Sequence, residues 1–562
     1  EYIYRLVEQM AGVKGKERRR VWIDSQTEEE ILRGIREAKD LSEYDNLSAS
    51  AYLRAKEDYL MGINFSRLLT LKYGNSISNY LGNKYTVVSV GRVMTCVLGM
   101  VVRREREIRE FVKTPFYRVI ESVNVDGHTF TGEWRAVKGS AYFESPKLYK
   151  ENGFKEKEEA KKLIAVLKEG TSPLTCRIVS IEKKKEKKNP PLLFNLAELQ
   201  NECSKRFKIS PDETLRIVQE LYEKKLVTYP RTDARVLSTA VSKEITKNLN
   251  GLSKYQMAAP YMQDILHYGA YKNLAKTRYV NDKQITDHYA IIPTGQGLSA
   301  LNSVSATAHH VYDVIVRRFL SIFYPPAVYQ KVALVTQIGK EQFFSNFRVL
   351  AEEGYLKVAG VPAPKKNVNG NDAEGDGSDN NVDLDAAFFA SIQKLKKGDI
   401  LDVKSLDIKE GETSPPKRYN SGSMILAMEN AGQLIEDEDL REQIKGSGIG
   451  TSATRAEIVK KLVSNKYIAL NKKTQIVTPT LTGEMIVNVV SASIGSLLNP
   501  TLTASWEKGL TYVAEGSVTE EEYMQKLDKF VTQKTNIVKQ NNFQYQLRQS
   551  FDQIAPYYQK KK

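Results

Sequence analysis

The stretch Leu226-Val-Thr-Tyr-Pro-Arg-Thr-Asp233 places a tyrosine on a proline-bounded turn, with an arginine two residues later. A phenol is a weak nucleophile at neutral pH because its ordinary pKa is about 10. It becomes reactive where a cation stabilises the phenolate and the attacked group is held in place. Proline pre-sets the backbone, and the planar fork of arginine suits a phosphate. The pattern indicates that Tyr229 attacks a phosphodiester; the alternative is an ordinary surface turn.

The residues before this stretch predict a helix that leads to it. Ser210-Pro-Asp-Glu213 has the pattern of a capping box, with the helix running to about Lys225. Gln219 and Glu223 lie four residues apart and so share one face, which is either part of a site or simply solvated. Residues 226–228 are predicted to form a short strand that ends at the tyrosine. Helix, strand and turn together resemble a winged-helix unit.

Six segments, in order along the chain, carry a wider resemblance. They are Tyr52-Leu-Arg-Ala-Lys-Glu-Asp-Tyr-Leu-Met-Gly-Ile-Asn64, Ser89-Val-Gly-Arg-Val-Met-Thr95, Pro190-Pro-Leu-Leu-Phe-Asn-Leu196, Gln219–Asp233, Asp287-His-Tyr-Ala-Ile-Ile-Pro-Thr294 and Gly448-Ile-Gly-Thr-Ser-Ala-Thr-Arg455. With them the chain resembles the type IA DNA topoisomerases, of the bacterial topoisomerase III branch, from residue 1 to about residue 535. Met94 and Cys96 depart from the family's usual Gln and Pro.

The resemblance implies a role for each matching residue. Tyr229 resembles the nucleophile that forms a 5′-phosphotyrosyl bond with cut single-stranded DNA, and Arg231 resembles the residue that positions the scissile phosphate. The other catalytic positions that it implies are Gln219, Glu223 and His288. The DNA-contacting positions that it implies are Arg54, Asp58, Arg92, Thr228, Asp233, Thr454 and Arg20. From the residues alone, Arg54 and Asp58 also fit an exposed i,i+4 ion pair.

The fold implied by the resemblance is multidomain, α/β and α+β. It is a toroidal type IA topoisomerase core with two winged-helix-like (CAP-like) helical domains, a β-rich gate domain and a Toprim remnant. The expected domains are the C-terminal Toprim remnant, 1–46; the helical DNA-binding domain IV, 47–115 and 416–540; the β-rich gate domain II, 116–185 and 325–415; the catalytic domain III, 186–324; and a basic tail, 541–562. A second helix-then-strand unit is predicted from Ala453 to Leu470.

Three local predictions concern the ends and connections of these domains. The opening residues resemble the helix that follows the acidic metal motif of the family, and the resemblance implies a fragment that lacks the Mg²⁺ ligands; no metal ligand is predicted in this chain. The run Lys183-Lys-Lys-Glu-Lys-Lys-Asn-Pro-Pro191 is predicted to be a charged linker, either a hinge or a solvated spacer. Residues 367–385 are acidic and Gly/Asn-rich, which predicts a disordered surface loop.

Composition is consistent with a polyanionic partner. The chain has 562 residues with a formal net charge of +15 and 30 tyrosines, which suits a channel that follows phosphates and stacks bases. Three cysteines lie too far apart for a CxxC pattern. We find no apolar run of the ~20 residues that a membrane span needs, and we expect a cytoplasmic protein associated with the nucleoid or a plasmid.

The resemblance also implies the reaction and its partners. The reaction would be ATP-independent cleavage, strand passage and religation, relaxing negatively supercoiled DNA or decatenating DNA, with this fragment impaired. The implied partners are single-stranded and negatively supercoiled DNA and a RecQ-like helicase, and the implied state is a monomer. The alternative is a single-stranded DNA-binding scaffold without turnover. A rolling-circle nickase or a tyrosine recombinase would need a His-hydrophobe-His pair or an Arg…His-x-x-Arg set, which we do not find.

Overall fold

The computed structural model describes residues 1–562 except for 14, 24–26, 170–171, 286, 362–381, 384–385, 437, 444–447 and 560–562. The loop predicted to be disordered, 367–385, lies outside the described residues apart from the backbone of Val382–Asp383.

The chain alternates between helical and strand-rich regions. The α-helices in chain order are α1 Tyr2–Met10, α2 Glu28–Arg36, α3 Asp45–Leu81, α4 Arg92–Glu110, α5 Lys157–Lys168, α6 Leu196–Phe207, α7 Pro211–Glu223, α8 Thr239–Leu252, α9 Ala259–Tyr268, α10 Ala306–Ser321, α11 Leu356–Ala359, α12 Ala386–Lys394, α13 Ser421–Glu429, α14 Glu438–Gln443, α15 Arg455–Ser464, α16 Leu481–Ile494, α17 Pro500–Ala514, α18 Glu520–Gln540 and α19 Gln544–Ile554. The strands are β1 Arg19–Arg20, β2 Lys39–Asp40, β3 Pro115–Val125, β4 His128–Arg135, β5 Leu148–Lys150, β6 Gly153–Phe154, β7 Thr175–Lys188, β8 Ala327–Ile338, β9 Glu341–Glu352, β10 Val382–Asp383, β11 Ile400–Glu412, β12 Ile468–Leu470 and β13 Val477–Pro479.

These elements form two compact units. The helical unit comprises Glu1–Arg109, Leu192–Leu320 and Lys417–Lys562, and the β unit comprises Glu110–Pro191 and Ser321–Pro416. The expected gate domain, 116–185 and 325–415, falls within the β unit. The expected catalytic domain and helical DNA-binding domain fall largely within the helical unit.

The strands of the β unit close on themselves. Strand β3 pairs with β11, β11 with β7, β7 with β8, β8 with β9, β9 with β4 and β4 with β3, all antiparallel. Closing a sheet removes exposed edges, and alternate side chains then fill the interior. Val119 and Val123 of β3 are fully buried on this inner face, and so is Glu121 between them.

The lysine-rich run predicted to be a linker is a strand instead. Lys183–Lys188 continues β7 and pairs residue by residue with Ala327–Val332 of β8. The pairing of β7 with β11 covers only Thr175–Arg177, so within the described residues this half of β7 has a strand partner on one side. Lysines are well suited to such an edge because their charges discourage further strand pairing. The linker prediction is therefore wrong for Lys183–Lys188, whereas the run ends at Pro191, where the chain passes from the β unit to the helical unit. The predicted hinge stays a prediction.

The core of the helical unit is built on α3. Its residues Met61, Phe65 and Leu69 recur every four positions and are almost completely buried, as an amphipathic helix requires. They belong to one apolar cluster that also contains buried residues of α4, α13, α16 and α19. The segment predicted to be a basic tail thus contributes a helix, α19, whose Leu547 and Phe551 lie in this core.

The second helix-then-strand unit has the order of elements that the sequence predicts. Helix α15 followed by the antiparallel pair β12 and β13 has the helix-then-strand order predicted from Ala453 to Leu470. Near the N-terminus, Arg19–Arg20 pair with Lys39–Asp40 as the short antiparallel strands β1 and β2.

Among the described residues, the stretch Leu481–Ala514 is long and apolar enough to cross a membrane by length and composition. Half of its most apolar window is buried inside the protein. The stretch consists of α16 and α17, separated by a 3-10 turn at Gly495–Leu498, and Met485 and Ile486 lie in the helical core. Its apolar character is explained by that burial.

Candidate active site

Helix α7 leads the chain to Tyr229. At its start, Ser210 accepts a hydrogen bond from the amide of Glu213 at 3.2 Å, and Pro211 occupies the first turn. The Ser210 half of the predicted capping box is therefore present, but among the described residues no bond from the Ser210 amide to the Glu213 side chain completes the box. After the helix ends at Glu223, Lys225 adopts a φ of +61°, in the left-handed region that turns the chain sharply.

The short strand predicted at 226–228 is wrong as a regular strand. Val227 forms an isolated antiparallel bridge with Pro293, and the amide of Thr228 donates to the carbonyl of Ile292 at 3.0 Å. Because proline has no N–H to donate, a ladder cannot continue through Pro293. The segment is extended and paired, but only over this short stretch.

Two threonines on either side of Tyr229 fasten its loop to the segment that contains His288. The Thr228 hydroxyl donates to the carbonyl of Ala290 at 3.0 Å and accepts from the amide of Ile292 at 3.0 Å. The Thr232 hydroxyl donates to the carbonyl of His288 at 2.8 Å. These bonds hold the two segments in a fixed register although some 60 residues separate them along the chain.

Two aromatic rings pack against the phenol of Tyr229. The centroids of Tyr229 and His288 lie 4.3 Å apart, and Tyr222 of α7 packs edge-on against Tyr229 at 5.4 Å. Partial burial lowers the pKa of His288, an effect that Asp287 opposes. At neutral pH this imidazole is therefore uncharged, with one N–H donor and one acceptor nitrogen. Tyr229 itself is half-buried.

A chain of hydrogen bonds positions Arg231. Its Nη1 donates to Oε1 of Gln219 at 3.1 Å, and Nε2 of Gln219 donates to Oε1 of Glu223 at 3.0 Å. The shared face that the sequence predicts for Gln219 and Glu223 is thus present. The structure brings Tyr229, Arg231, Gln219, Glu223 and His288 together in one site.

An ion pair links the end of this loop to α15. Nη1 of Arg455 lies 3.0 Å from Oδ1 of Asp233 and 4.0 Å from Glu429, and the Arg455 side chain is only 1% exposed. The Asn195 amide donates to the carbonyl of Asp233 at 3.1 Å and to Glu429 at 2.7 Å. Burial raises the pKa of Glu429, while Arg455 and Asn195 act to lower it.

Arg455 was missed by the sequence analysis, which selected its neighbour Thr454. Thr454 is exposed at the N-terminus of α15, and its Oγ1 accepts from the amide of Thr451 at 3.0 Å. The sequence signal that could have identified Arg455 is its place as the last residue of the Gly448–Arg455 motif. Its partner could not be named because Asp233 lies 222 residues away.

Arg54 and Asp58 do not pair with each other in the structure. Arg54 forms two bonds to Glu507 of α17, at 2.9 and 2.6 Å, whereas Asp58 lies 3.1 Å from Nε of Arg92. Arg92 also lies 2.9 Å from Glu507 and 3.1 Å from Glu57. The Arg92 side chain is 2% exposed, so its guanidinium faces these carboxylates rather than solvent.

Members of this cluster differ in burial. The buried Glu57 has a shifted pKa, whereas the side chain of Arg54 is accessible. Burial raises the pKa of Glu57 to about 7, against the influence of Arg92 and of the Tyr523 hydroxyl that donates to it at 2.7 Å. The Arg54 side chain is 43% exposed. Arg54 and Asp58, whose side chain is 50% exposed, are therefore the members of the cluster that remain accessible, and Arg54 is the accessible cation.

Arg20, the remaining predicted position, lies in the N-terminal segment. Its Nε donates to Glu1 at 3.0 Å, and its guanidinium lies 5.0 Å from the ring of Tyr4 and 5.1 Å from that of Trp22. These contacts bind β1 to α1. Within the described residues, no group of three or more His, Cys, Asp and Glu side chains could hold a metal ion.

Three comparisons with known proteins bear on this site. Residues 42–525 match the family model described as DNA topoisomerase. The chain is 31% identical to DNA topoisomerase 3 of Bacillus licheniformis over 93% of this chain and 65% of that protein. It is also 31% identical to DNA topoisomerase 3 of Bacillus subtilis, over 96% and 67% respectively. The chain thus spans about two thirds of the length of these relatives.

Full-length topoisomerase I from Thermotoga maritima has a similar fold, with a TM-score of 0.64 at 20% identity over 94% of this chain and 74% of that one. At this identity the similarity concerns the fold alone, and it confirms the multidomain type IA architecture expected from the sequence. Together with the family match over most of the chain, these findings show that the chain belongs to the type IA DNA topoisomerases, in the group related to bacterial topoisomerase 3.

Proposed function

We propose that this chain carries the cleavage site of a topoisomerase III-like enzyme that cuts one DNA strand through a 5′-phosphotyrosyl intermediate, passes a strand and rejoins the break. The reaction relaxes negatively supercoiled DNA or decatenates DNA without ATP. The observation that carries the proposal is the cluster around Tyr229: the ring centroids of the half-buried tyrosine and of His288 lie 4.3 Å apart, and Gln219 holds the guanidinium of Arg231 on the same turn.

In the first step, Oη of Tyr229 attacks the phosphorus of the scissile phosphodiester and the bond from phosphorus to the 3′ oxygen breaks. The 5′ phosphate stays on the tyrosine, and the proton lost by the phenol is balanced by the one gained by the 3′ oxygen. In the second step, the 3′ hydroxyl attacks the phosphotyrosine and releases the phenol. One ester replaces another in each step, so no external energy source is needed.

Arg231 is proposed to stabilise the charge that develops on the phosphate. A guanidinium can donate two parallel hydrogen bonds to phosphate oxygens, and one of its nitrogens is held by Gln219 at 3.1 Å. The Gln219–Glu223 bond fixes that amide in turn. His288, which is neutral at pH 7, is proposed to add one ring N–H to the same phosphate.

Membership of the family points to Mg²⁺ as the cofactor. The carboxylates described near Tyr229 do not fit such a site: Glu223 is bound to Gln219, and Asp233 is bound to Arg455. A hard cation needs several oxygen ligands at once. We therefore derive no step of the reaction through a metal.

The proposed substrates are single-stranded regions in negatively supercoiled or linked DNA, since the net charge of +15 suits a polyanion. A RecQ-like helicase that exposes such regions is a proposed partner, and a monomer is the proposed state. Because the relatives are bacterial, we propose that the reaction takes place in the cytoplasm, on chromosomal or plasmid DNA.

The test is covalent trapping on labelled single-stranded DNA. We expect a 3′-labelled oligonucleotide to remain attached to the protein on a denaturing gel and a 5′-labelled one to be released, because the tyrosine keeps the 5′ phosphate. Tyr229→Phe should abolish the adduct. Tyr222→Phe is the matched control, since it removes a hydroxyl in the same site but keeps the ring that packs against Tyr229.

Two results would overturn the proposal. An adduct that persists in Tyr229→Phe would place the nucleophile elsewhere. A wild-type chain that binds single-stranded DNA tightly but forms no adduct under any condition would favour the scaffold alternative.

A further inference from the structure

Strand β7 in the β unit has an open edge over residues Lys183–Lys188. On one side these residues pair one by one with β8. On the other side the pairing of β7 with β11 covers only Thr175–Arg177. Within the part of the chain that the structure describes, no backbone hydrogen bond from another segment reaches residues 183–188 on that side. We call Lys183–Lys188 the lysine edge.

The lysine edge has the backbone of a strand that can accept a neighbour. Alternate residues of an antiparallel strand direct their N–H and C=O groups to opposite sides, so about three residues of the edge direct theirs away from β8. The edge contains no proline, so every amide keeps its hydrogen. Extended peptides bind to exposed sheet edges through main-chain hydrogen bonds. The edge therefore fits an added strand.

The charge of the edge determines which strand it can accept. All of its residues are lysine except Glu186, which lies 3.0 Å from Lys331 of β8. Lysines on a sheet edge repel another lysine-rich edge, so the same edge of a second copy does not fit here. Opposite charges that face each other across neighbouring strands stabilise the pair. An acidic strand is therefore the favoured neighbour.

Two lysines on one face of the strand are free to make these contacts. Side chains alternate between the two faces, so Lys183, Lys185 and Lys187 share one face. Lys183 is already engaged, since its Nζ donates to the carbonyl of Leu395, just after α12, at 3.0 Å. Lys185 and Lys187 are exposed, and within the described residues the structure shows no ion pair for either. Carboxylates on every second residue of an added strand would lie opposite them.

A nucleic-acid strand fits this edge less well than a peptide. The edge carries no aromatic side chain on which a base could stack. Carbonyl oxygens alternate with the amides along it, and they repel phosphate oxygens but accept hydrogen bonds from peptide N–H groups. A peptide strand satisfies both kinds of backbone group, so the edge favours a protein as its partner.

We propose that the lysine edge binds an extended acidic segment of a partner protein. The segment adds to the β unit as a strand beside β7, with carboxylates opposite Lys185 and Lys187. The proposal goes beyond the proposed function, because it concerns the β unit alone and needs no residue of the cluster around Tyr229. It assigns to this unit a docking surface for a protein.

The experiment measures the dissociation constant of a fluorescein-labelled peptide by fluorescence anisotropy on the 562-residue chain. The peptide alternates glutamate and valine over about eight residues, which is long enough to cover the edge. One control peptide has every backbone nitrogen methylated, which keeps the charge but removes the hydrogen-bond donors. A second control peptide has lysine in place of glutamate. Fluorescein-labelled oligo-dT is the nucleic-acid probe.

The test variant is Lys185→Glu with Lys187→Glu. The matched control is Lys161→Glu with Lys162→Glu in α5 of the same unit, which changes the net charge equally. The side chains of Lys161 and Lys162 are 54% and 64% exposed. Circular dichroism verifies that each variant is folded.

We expect the test variant to bind the acidic peptide about ten-fold more weakly than wild type, because two attractions become repulsions, and to gain affinity for the lysine peptide. The control variant should stay within about two-fold of wild type. The methylated peptide should bind wild type at least about ten-fold more weakly than its parent, because it cannot pair with the edge. In hydrogen exchange, the acidic peptide should protect about three amides of residues 183–188, those that point away from β8.

An acidic peptide that does not bind wild type, or that binds the test variant equally well, overturns the proposal. Equal binding of the methylated and the parent peptide also overturns it, because charge alone would then explain the binding. Oligo-dT should bind the test and control variants equally; a loss confined to the test variant would assign the edge to nucleic acid instead. The test variant should still form the Tyr229 adduct, so failure of this proposal and failure of the proposed function are distinguishable.

Discussion

Replacing Asp233 by asparagine should loosen the loop that carries Tyr229. Asn keeps the shape of the side chain but removes the charge opposite Arg455, which lies 3.0 Å away and is 1% exposed. At an effective dielectric constant of about 20, two charges at this distance attract by about 5 kcal/mol. Solvent screens part of this because the Asp233 side chain is 34% exposed, and Glu429 remains 4.0 Å from the arginine. We expect a net loss of about 2 kcal/mol.

The assay is native-state hydrogen exchange followed by mass spectrometry, which reports local opening rather than global unfolding. A loss of about 2 kcal/mol corresponds to about 30-fold faster exchange of the protected amides in 226–236. Peptides from β8 and β9 serve as the internal reference and should not change.

Asp212→Asn is the matched control. Asp212 at the start of α7 pairs with Lys460 of α15 at 3.4 Å, but both side chains are exposed, at 43% and 53%. Exposed pairs contribute between zero and about 1 kcal/mol, so exchange should rise by less than about five-fold. Equal increases in exchange for the two substitutions would refute the reasoning, because the pair with the buried Arg455 would then stabilise the protein no more than the exposed pair does.

Three further predictions follow from the site, from the β unit and from α7. Arg231→Ala should lower the rate of adduct formation by about 100-fold or more, as loss of a preorganised charge donor does, while the anisotropy Kd for oligo-dT stays within two-fold; an equal loss of both would mean that the arginine only binds. Burial raises the pKa of Glu121 from 4.5 to about 7. The folded β unit therefore holds a proton that the unfolded chain releases, and its stability falls as pH rises from 4.5 to 7. Glu121→Gln should remove this fall and raise stability at pH 8 by up to about 3 kcal/mol, measured as melting temperature against pH; identical pH profiles would contradict it. Ser210→Ala should cost about 1 kcal/mol at the start of α7 and speed exchange there about five-fold, with α8 unchanged.

The sequence predicted best where structure depends on near neighbours. The cap at Ser210 and the shared face of Gln219 and Glu223 follow from spacings of three and four residues, and both are present. Prediction of secondary structure failed where the same local pattern suits both a solvated linker and an edge strand. Lys183–Lys188 has the composition of a solvated linker, but the same lysines suit an edge strand once β8 supplies a partner.

The sequence by itself determined the family: the ordered motifs around Tyr229 indicate a type IA topoisomerase, and the family match over residues 42–525 confirms this. Phosphodiester cleavage by the tyrosine and arginine on one turn stays a prediction from the sequence. Only the tertiary structure decided which residues meet. Asp233 pairs with Arg455 across 222 residues, and Arg54 pairs with Glu507 across 453 rather than with Asp58. The reason is physical. A charged side chain can choose among many partners of opposite charge, and the packing of distant helices decides which one lies within reach.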